Sequence, residues 1–348
     1  MCGFAGYMNL SQQGFKVDKE LLSRMHQALA HRGPDGDAIW VNQEHEIGLA
    51  FRRLSIIDLS DTAMQPMMDK EATVIICFNG EIYNHHELRK MLIDKGCVFV
   101  TQSDTEVILH AYKIWGIDCL HRLDGMFAIS LYDLQARRLY VIRDRIGVKP
   151  LYFSLQSGII SFASEIKALW QLPWMSKEFS DIAMYHYLTF MVSPAPYTIF
   201  EGVYKLPAGF YACVDASKKI SFVEWYSPVV PCLQQEKKEY HNEVVCVDAI
   251  RTALVAAIEK RMGSDVPFGA FLSGGLDSSL NVALMSRFSS PVKTFTIAFN
   301  DGADNELDWA RLIAEQFTTD HHEMILTEQE AFQLYEKMVY HLDEPLAD

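Results

Sequence analysis

Val266-Pro267-Phe268-Gly269-Ala270-Phe271-Leu272-Ser273-Gly274-Gly275-Leu276-Asp277-Ser278-Ser279 decides how the second half of this chain is read. The apolar run Val266–Leu272 predicts a strand, Gly274-Gly275 a tight turn, and Ser278–Phe288 a helix. Working outward, the alternation continues. Asn242–Arg261 predicts a helix before the strand. Lys293–Phe299, Glu306–Phe317, His321–Leu326 and Glu328–His341 predict strand, helix, strand and helix after it. Such alternation specifies a parallel α/β sheet, whose ligands gather at the carboxyl ends of the strands. Three strands are few for such a sheet, so the expectation is an incomplete domain.

Toward the N-terminus the texture changes. Strands are predicted at Cys2–Met8, Glu46–Arg52, Thr73–Phe78, Phe127–Asp133, Leu139–Arg143, Leu151–Phe153 and Ile159–Ser164, with turn residues such as His31–Gly36 and Asn79-Gly80 between them. Helices are predicted at Lys19–His31, Asn84–Lys95 and Asp104–Trp115. Many strands with a few helices suggest two sheets sandwiched by helices. Phe200–Gly209 reads as a hairpin. Ser227–Lys238, with two prolines and two glutamines, reads as a linker.

The bulk properties narrow the function classes. The chain has 348 residues, 49% hydrophobic and 22% charged, with a formal net charge of −14. That length suggests two domains. The apolar content argues against disorder. The acidic balance excludes a nucleic-acid coat as the default partner. No apolar run is long enough for a transmembrane helix, and the N-terminus lacks a signal-peptide pattern. Seven cysteines without a C-x-x-C pair disfavour disulfide or zinc frameworks, and the histidine pairs lack metal-ligand spacing. A reducing cytoplasm is the expected compartment, and no membrane or nucleic-acid partner is expected.

Cys2 stands apart from the other cysteines. If Met1 is removed, Cys2 carries both a thiol and a free α-amine, whose reference pKa of about 7.7–8.0 leaves a neutral fraction able to take the thiol proton. Asn79 offers an amide donor and Gly80 an unobstructed backbone N–H, a pair suited to a developing oxyanion. Arg53 could hold an α-carboxylate in a fork, and Glu81 and Asp104 an α-ammonium. Each also has a plain reading: Asn-Gly is a common turn, an Arg after a strand is usually solvated, and Asp104 could cap its helix.

Seven blocks nevertheless occur in order: Cys2-Gly3-Phe4-Ala5-Gly6, His31-Arg32-Gly33-Pro34-Asp35, Arg53-Leu54-Ser55-Ile56, Phe78–Asn84, Ser103-Asp104-Thr105-Glu106, Leu123–Ala128 and Arg143-Asp144-Arg145-Ile146-Gly147. Together they resemble the class II (N-terminal nucleophile) glutamine amidotransferases. The resemblance implies a four-layer αββα sandwich and hydrolysis of glutamine to glutamate and ammonia through a thioester on Cys2. Asn79 and Gly80 would form the oxyanion hole. Arg53, Leu54, Ser55, Ile56, Ile57, Asn79, Gly80, Glu81 and Asp104 would bind glutamine.

In the second half, Gly274 and Gly275 would let backbone N–H groups approach an anion at the start of a helix. Ser273 and Ser278 add hydroxyls, and Asp277 could hold Mg²⁺. No Walker A pattern is present. Leu272–Ser279 resembles the PP-loop of N-type ATP pyrophosphatases. That likeness implies ATP contacts at Phe271, Leu272, Ser273, Gly274, Gly275, Asp277, Ser278 and Ile297, with the Mg²⁺ ligands mostly past residue 348. The two halves together resemble the glutamine-hydrolysing asparagine synthetases, which form β-aspartyl-AMP and aminate it with tunnelled ammonia. Glutamine, aspartate and ATP are the implied substrates, and a homodimer is left open. The implied division is 2–215 glutaminase domain, 216–240 linker and 241–348 part of an ATP pyrophosphatase domain, the chain being a fragment or a truncated form. Two other readings stand beside this one. A sister amidotransferase would use another carboxylate or a sugar-pathway acceptor. A truncated regulatory paralogue would be expected to have lost the nucleophile set, which is intact here.

Overall fold

The computed structural model describes residues 2–11, 16–229, 242–299 and 306–346. It divides into two units, 1–234 together with 342–348, and 235–341.

The first unit contains two six-stranded antiparallel sheets. The first runs in the order β10 (Tyr204–Lys205), β8 (Tyr152–Gln156), β9 (Ile159–Ala163), β1 (Gly3–Asn9), β3 (Ile47–Arg53), β2 (Gly36–Val41). The second runs β12 (Ile220–Glu224), β11 (Phe210–Val214), β7 (Arg138–Arg143), β6 (Gly125–Asp133), β5 (Val74–Ile82), β4 (Met67–Met68). Strand parity sorts their side chains into layers. Phe4 and Met8 of β1 meet Ile75 and Cys77 of β5 between the sheets. The alternate residues Ala5 and Tyr7 face α1 (Lys19–Ala28) and α4 (Ile166–Leu169), packing with Leu22, Met25, Ile166 and Leu169. Val74, Ile76 and Phe78 face α2 (His85–Asp94) and α3 (Asp104–Trp115), packing with Leu88, Leu92, Val107 and Ala111. Three apolar interfaces thus separate four layers, helix, sheet, sheet and helix, as the αββα expectation requires. Phe4, Phe51 and Phe162 are fully buried, each worth about 1.5–3 kcal/mol.

Several elements depart from the sequence reading. The helix expected to reach His31 ends at Ala28 and continues as a 3₁₀ turn over Ala30–Arg32, which carries Arg32 inward. Phe200–Gly209 is not a self-contained hairpin: Tyr204–Lys205 pairs with β8 in the first sheet, and Phe210 begins β11 in the second. β2, β4, β11 and β12 were not anticipated. β12 occupies 220–224 and Trp225 joins the core, so packing of the first unit runs past residue 215. Most of the expected linker, 230–238, lies outside the described residues, as do 300–305.

The last described residues also belong to the first unit. The Asp343 carboxylate accepts from the Ile166 N–H at 2.7 Å, and Glu344 accepts from the Ile199 N–H at 2.9 Å.

The second unit holds a parallel sheet ordered β13 (Gly269–Phe271), β14 (Lys293–Phe299), β15 (Asp320–Leu326). Its helices, which follow α5 (Asp181–Phe190) of the first unit, are α6 (Glu243–Arg261), α7 (Leu276–Met285), α8 (Glu306–Gln316) and α9 (Glu328–Leu342). β13 is shorter than expected because only Gly269–Phe271 pair with β14. Leu272, Val282, Ala310 and Ala314 form a small core. β14 buries Thr294 and Thr296 and exposes Lys293, Phe295 and Phe299, so among the described residues one face of a normally two-sided parallel sheet lacks a full covering layer. Among the described residues, no helix is long and apolar enough to cross a membrane.

Candidate active site

Parity also builds the site. Cys2 precedes β1 in phase with Phe4, and Asn79 of β5 is in phase with Ile75 and Cys77, so both belong to the faces that look between the sheets. One cleft is lined by Cys2, Arg53, Leu54, Ile56 and Ile57 on one side and by Asn79, Gly80, Glu81 and Asp104 on the other. Of the residues expected at the glutamine site, only Ser55 is not in this lining: its N–H donates to the Asp35 carboxylate at 2.8 Å.

The Leu54 N–H donates to Cys2 Sγ at 3.3 Å, and the thiol donates to the Leu54 carbonyl at 3.4 Å. Burial pushes the Cys2 pKa up, while the Leu54 N–H and the N-terminal positive charge oppose it. Arg53 ends β3 and is buried. Its guanidinium donates to the carbonyls of Asp58 and of Ser60, which wraps the 54–60 loop around it. Asn79 is 1% exposed, and its Nδ2 has no hydrogen-bond partner among the described residues. A buried donor left unpaired costs about 1–3 kcal/mol, and such a donor in a cleft is poised for an incoming acceptor. Gly80 is glycine because an added Cβ would lie 2.1 Å from the Met126 carbonyl of β6.

Asp104 opens α3 after the N-cap Ser103, and its carboxylate accepts from the Ile82 N–H at 3.0 Å. Burial pushes its pKa up to about 6, against the opposing pull of that hydrogen bond.

The cleft also holds residues that the sequence reading did not single out as site groups. Gln65 bridges two elements, accepting from the Phe78 N–H at 2.6 Å and donating to Thr105 Oγ1 at 3.1 Å. Lys149 is a buried cation beside the thiol. Asp144, fully buried, accepts from the N–H groups of Val148 and Lys149, each at 3.0 Å, and so fixes the loop that delivers it. Burial lowers the Lys149 pKa, Arg32 adds to that effect, and Glu81 and Cys2 oppose it. The signal available in sequence was the continuation of the Arg143–Gly147 block into Lys149.

In the second unit the loop after β13 is drawn in by its own serines. Ser273 Oγ and Ser278 Oγ are 3.0 Å apart, and the Gly275 N–H donates to Ser273 Oγ at 3.3 Å. Gly274 has φ +79°, and a Cβ there would lie 2.4 Å from Trp309 Cβ. Gly275 caps α7 without a side-chain bond, which leaves the helix N-terminus open to an anion. Phe271, Ile297 and Asp277 are exposed. The Leu272 side chain packs into the unit's core, so only its backbone is available to a nucleotide. Asp277 is the loop's one carboxylate, and among the described residues no group of three or more His, Cys, Asp or Glu is placed to hold a metal. The described residues therefore do not by themselves make a magnesium site.

Comparison with known proteins sorts the two halves in the same way. Residues 1–226 match the family model for the glutamine amidotransferase domain, and residues 249–348 that for asparagine synthase. A putative glutamine-hydrolysing asparagine synthetase 2 of Methanocaldococcus jannaschii is 33% identical over 372 residues, covering all of this chain and 69% of that protein. The chain belongs to the glutamine-hydrolysing asparagine synthetase family. Within that family it is also similar to asparagine synthetase 1 of Bacillus subtilis, at 36% identity over 349 residues. It spans 54% of the length of that Bacillus synthetase. A solved structure described as the allosteric regulatory enzyme of purine biosynthesis shares the fold at TM-score 0.51 and 12% identity, covering 94% of this chain and 80% of that one. This family member carries the Cys2 cleft and the Ser273–Ser278 loop on separate units.

Proposed function

We propose that this chain supplies the glutaminase centre, and the first part of the ATP site, of a glutamine-dependent asparagine synthesis. The observation that carries the reading is the unpaired, buried Asn79 amide in the same cleft as the Cys2 thiol. The α-amine freed by removal of Met1 takes the thiol proton. The sulfur attacks the glutamine carboxamide carbon, and the developing oxyanion is held by Asn79 Nδ2 and the Gly80 N–H. The amine returns its proton to the leaving nitrogen, ammonia departs, and water hydrolyses the thioester. Arg53 holds the α-carboxylate, while Glu81 and ionised Asp104 hold the α-ammonium, with backbone at Leu54, Ile56 and Ile57 completing the pocket. In the second unit, Ser273, Gly274, Gly275 and Ser278 cradle the pyrophosphate of ATP, with Phe271, Leu272, Asp277 and Ile297 nearby. Aspartate is the acceptor, activated as β-aspartyl-AMP. Mg²⁺ would accompany the ATP, and the reaction would run in the cytoplasm.

The deciding experiment is an intact-mass spectrum after incubation with 6-diazo-5-oxo-norleucine. A single adduct mapping to Cys2 on a chain lacking Met1 is expected. A chain lacking Met1 that stays unmodified and hydrolyses no glutamine would sink the glutaminase reading.

A further inference from the structure

Cys2 is held from behind as well as from the cleft. Arg32 Nε donates to the Cys2 carbonyl at 2.9 Å, and Arg32 Nη1 donates to Glu165 Oε1 at 2.7 Å. The other Glu165 oxygen pairs with Lys167 Nζ, and Lys167 Nζ lies 2.8 Å from Asp343 Oδ1. His31 Nε2 flanks Glu165 at 2.9 Å. The charges alternate from the nucleophile's backbone outward: Arg32, Glu165, Lys167, Asp343. All four side chains are at most 9% exposed. Asp343 is the far anchor, because its second oxygen accepts the Ile166 N–H at 2.7 Å.

Balance matters in such a row. A buried ion is tolerated when it is paired, and removing one partner strands the other. Without Asp343, Lys167 is left with Glu165 as its remaining anion in the row. It then competes with Arg32 for that carboxylate, and the guanidinium that holds the Cys2 carbonyl loses its fixed partner. None of these four side chains lines the substrate cleft, and their hydrogen-bonded route to it runs through the Cys2 carbonyl.

We propose that Asp343 is a positioning residue for the Cys2 nucleophile, acting through the buried chain Lys167–Glu165–Arg32 that ends on the Cys2 carbonyl. The proposal rests on the glutaminase reading of Cys2. It assigns to the Asp343-Glu344-Pro345 segment, distant in sequence from the cleft, a part in glutamine hydrolysis.

The test uses the full chain with Met1 removed and reads glutamine hydrolysis together with the rate of Cys2 modification by 6-diazo-5-oxo-norleucine. Asp343→Asn keeps an acceptor for Ile166 and removes the charge. It should lower kcat and the modification rate about tenfold or more, since small misplacements of a nucleophile have effects of that order, with KM for glutamine within about twofold. Lys167→Met instead strands the buried Asp343 carboxylate without its cation, and should also lower both kcat and the modification rate. The double variant, which removes both charges and leaves Arg32 and Glu165 paired, should be closer to the unsubstituted chain than either single variant. An unchanged kcat in Asp343→Asn, or losses that simply add in the double variant, would overturn the proposal and leave the glutaminase reading standing. If Asp343→Asn fails to fold, the double variant decides: turnover near that of the unsubstituted chain supports the chain of charges, and lost turnover in a folded protein overturns it. An unsubstituted chain that neither hydrolyses glutamine nor forms the adduct would remove the glutaminase reading and this proposal together.

Discussion

The backbone of Leu54 grips the sulfur of Cys2 from both of its polar groups, the N–H at 3.3 Å and the carbonyl at 3.4 Å. The grip follows from pairing. β1 and β3 align Gly3 with Arg52, so the residue just before β1 falls beside the chain leaving β3. The thiol is therefore placed by sheet register, and among the described residues its hydrogen bonds go to the Leu54 backbone rather than to a carboxylate or histidine.

Replacing Cys2 by Ala removes one thiol from a site built by backbone. Glutamine hydrolysis should be abolished while the melting temperature stays within a few degrees. A calorimetric scan beside a glutamate-release assay reads both, and residual turnover at the unsubstituted level would discard Cys2 as nucleophile.

Asn79→Leu removes the buried unpaired amide but fills similar space. Losing one oxyanion donor typically costs about 10²–10³ in kcat, roughly 2.7–4 kcal/mol. KM should move little, because the oxyanion exists only in the transition state. A tenfold rise in KM with kcat unchanged would reassign Asn79 to ground-state binding.

Asp104 gives a pH dependence of known sign. Its pKa is pushed to about 6 by burial, above the ordinary carboxylate value of 3.8. If its carboxylate holds the substrate ammonium, kcat/KM should fall about tenfold per pH unit below pH ~6, and Asp104→Asn should flatten that limb while lowering the plateau. The stability contribution has the opposite trend. A folded-state pKa above the unfolded one means the folded protein holds the proton more tightly, so that stabilisation is full below about pH 4 and is lost as pH rises through about 6. Asp104→Asn should thus gain melting temperature relative to the unsubstituted chain at pH 7.5 compared with pH 4. The same difference at both pH values would contradict a raised pKa.

Gly80→Ala places a methyl 2.1 Å from the Met126 carbonyl, an overlap with backbone that no rotamer relieves. Such overpacking costs about 1–3 kcal/mol or more. Chemical denaturation should show a lower midpoint with an unchanged slope; an equal midpoint would mean β6 yields freely.

Much of this was legible because local chemistry and tertiary role coincide. Asn79 and Gly80 follow a strongly apolar strand core, and Asp104 opens a helix whose bounds the periodicity gave to the residue. Ser55 was legible only as a neighbour of Arg53, and its N–H is taken by Asp35 instead. Gln65 and Lys149 were missed because each reaches the cleft through partners far along the chain, Phe78 and Thr105 for one and the Asp144 loop for the other. β2 was missed because its Gly36-Asp37 start reads as a turn, and only β3 beside it makes it a strand. The attachment of Asp343 to Lys167 spans 176 positions of sequence, and no periodicity encodes it.

Strand parity puts Cys2 and Asn79 into one gap between the sheets, and parity tolerates no partial error. Exchanging a side chain in β1 or β5 weakens the site by degrees, but deleting a single residue between Cys77 and Asn79 turns the amide toward the helices. Heritable changes of length in this half of the chain can therefore survive only in the turns, and the strands that carry chemistry must keep their count.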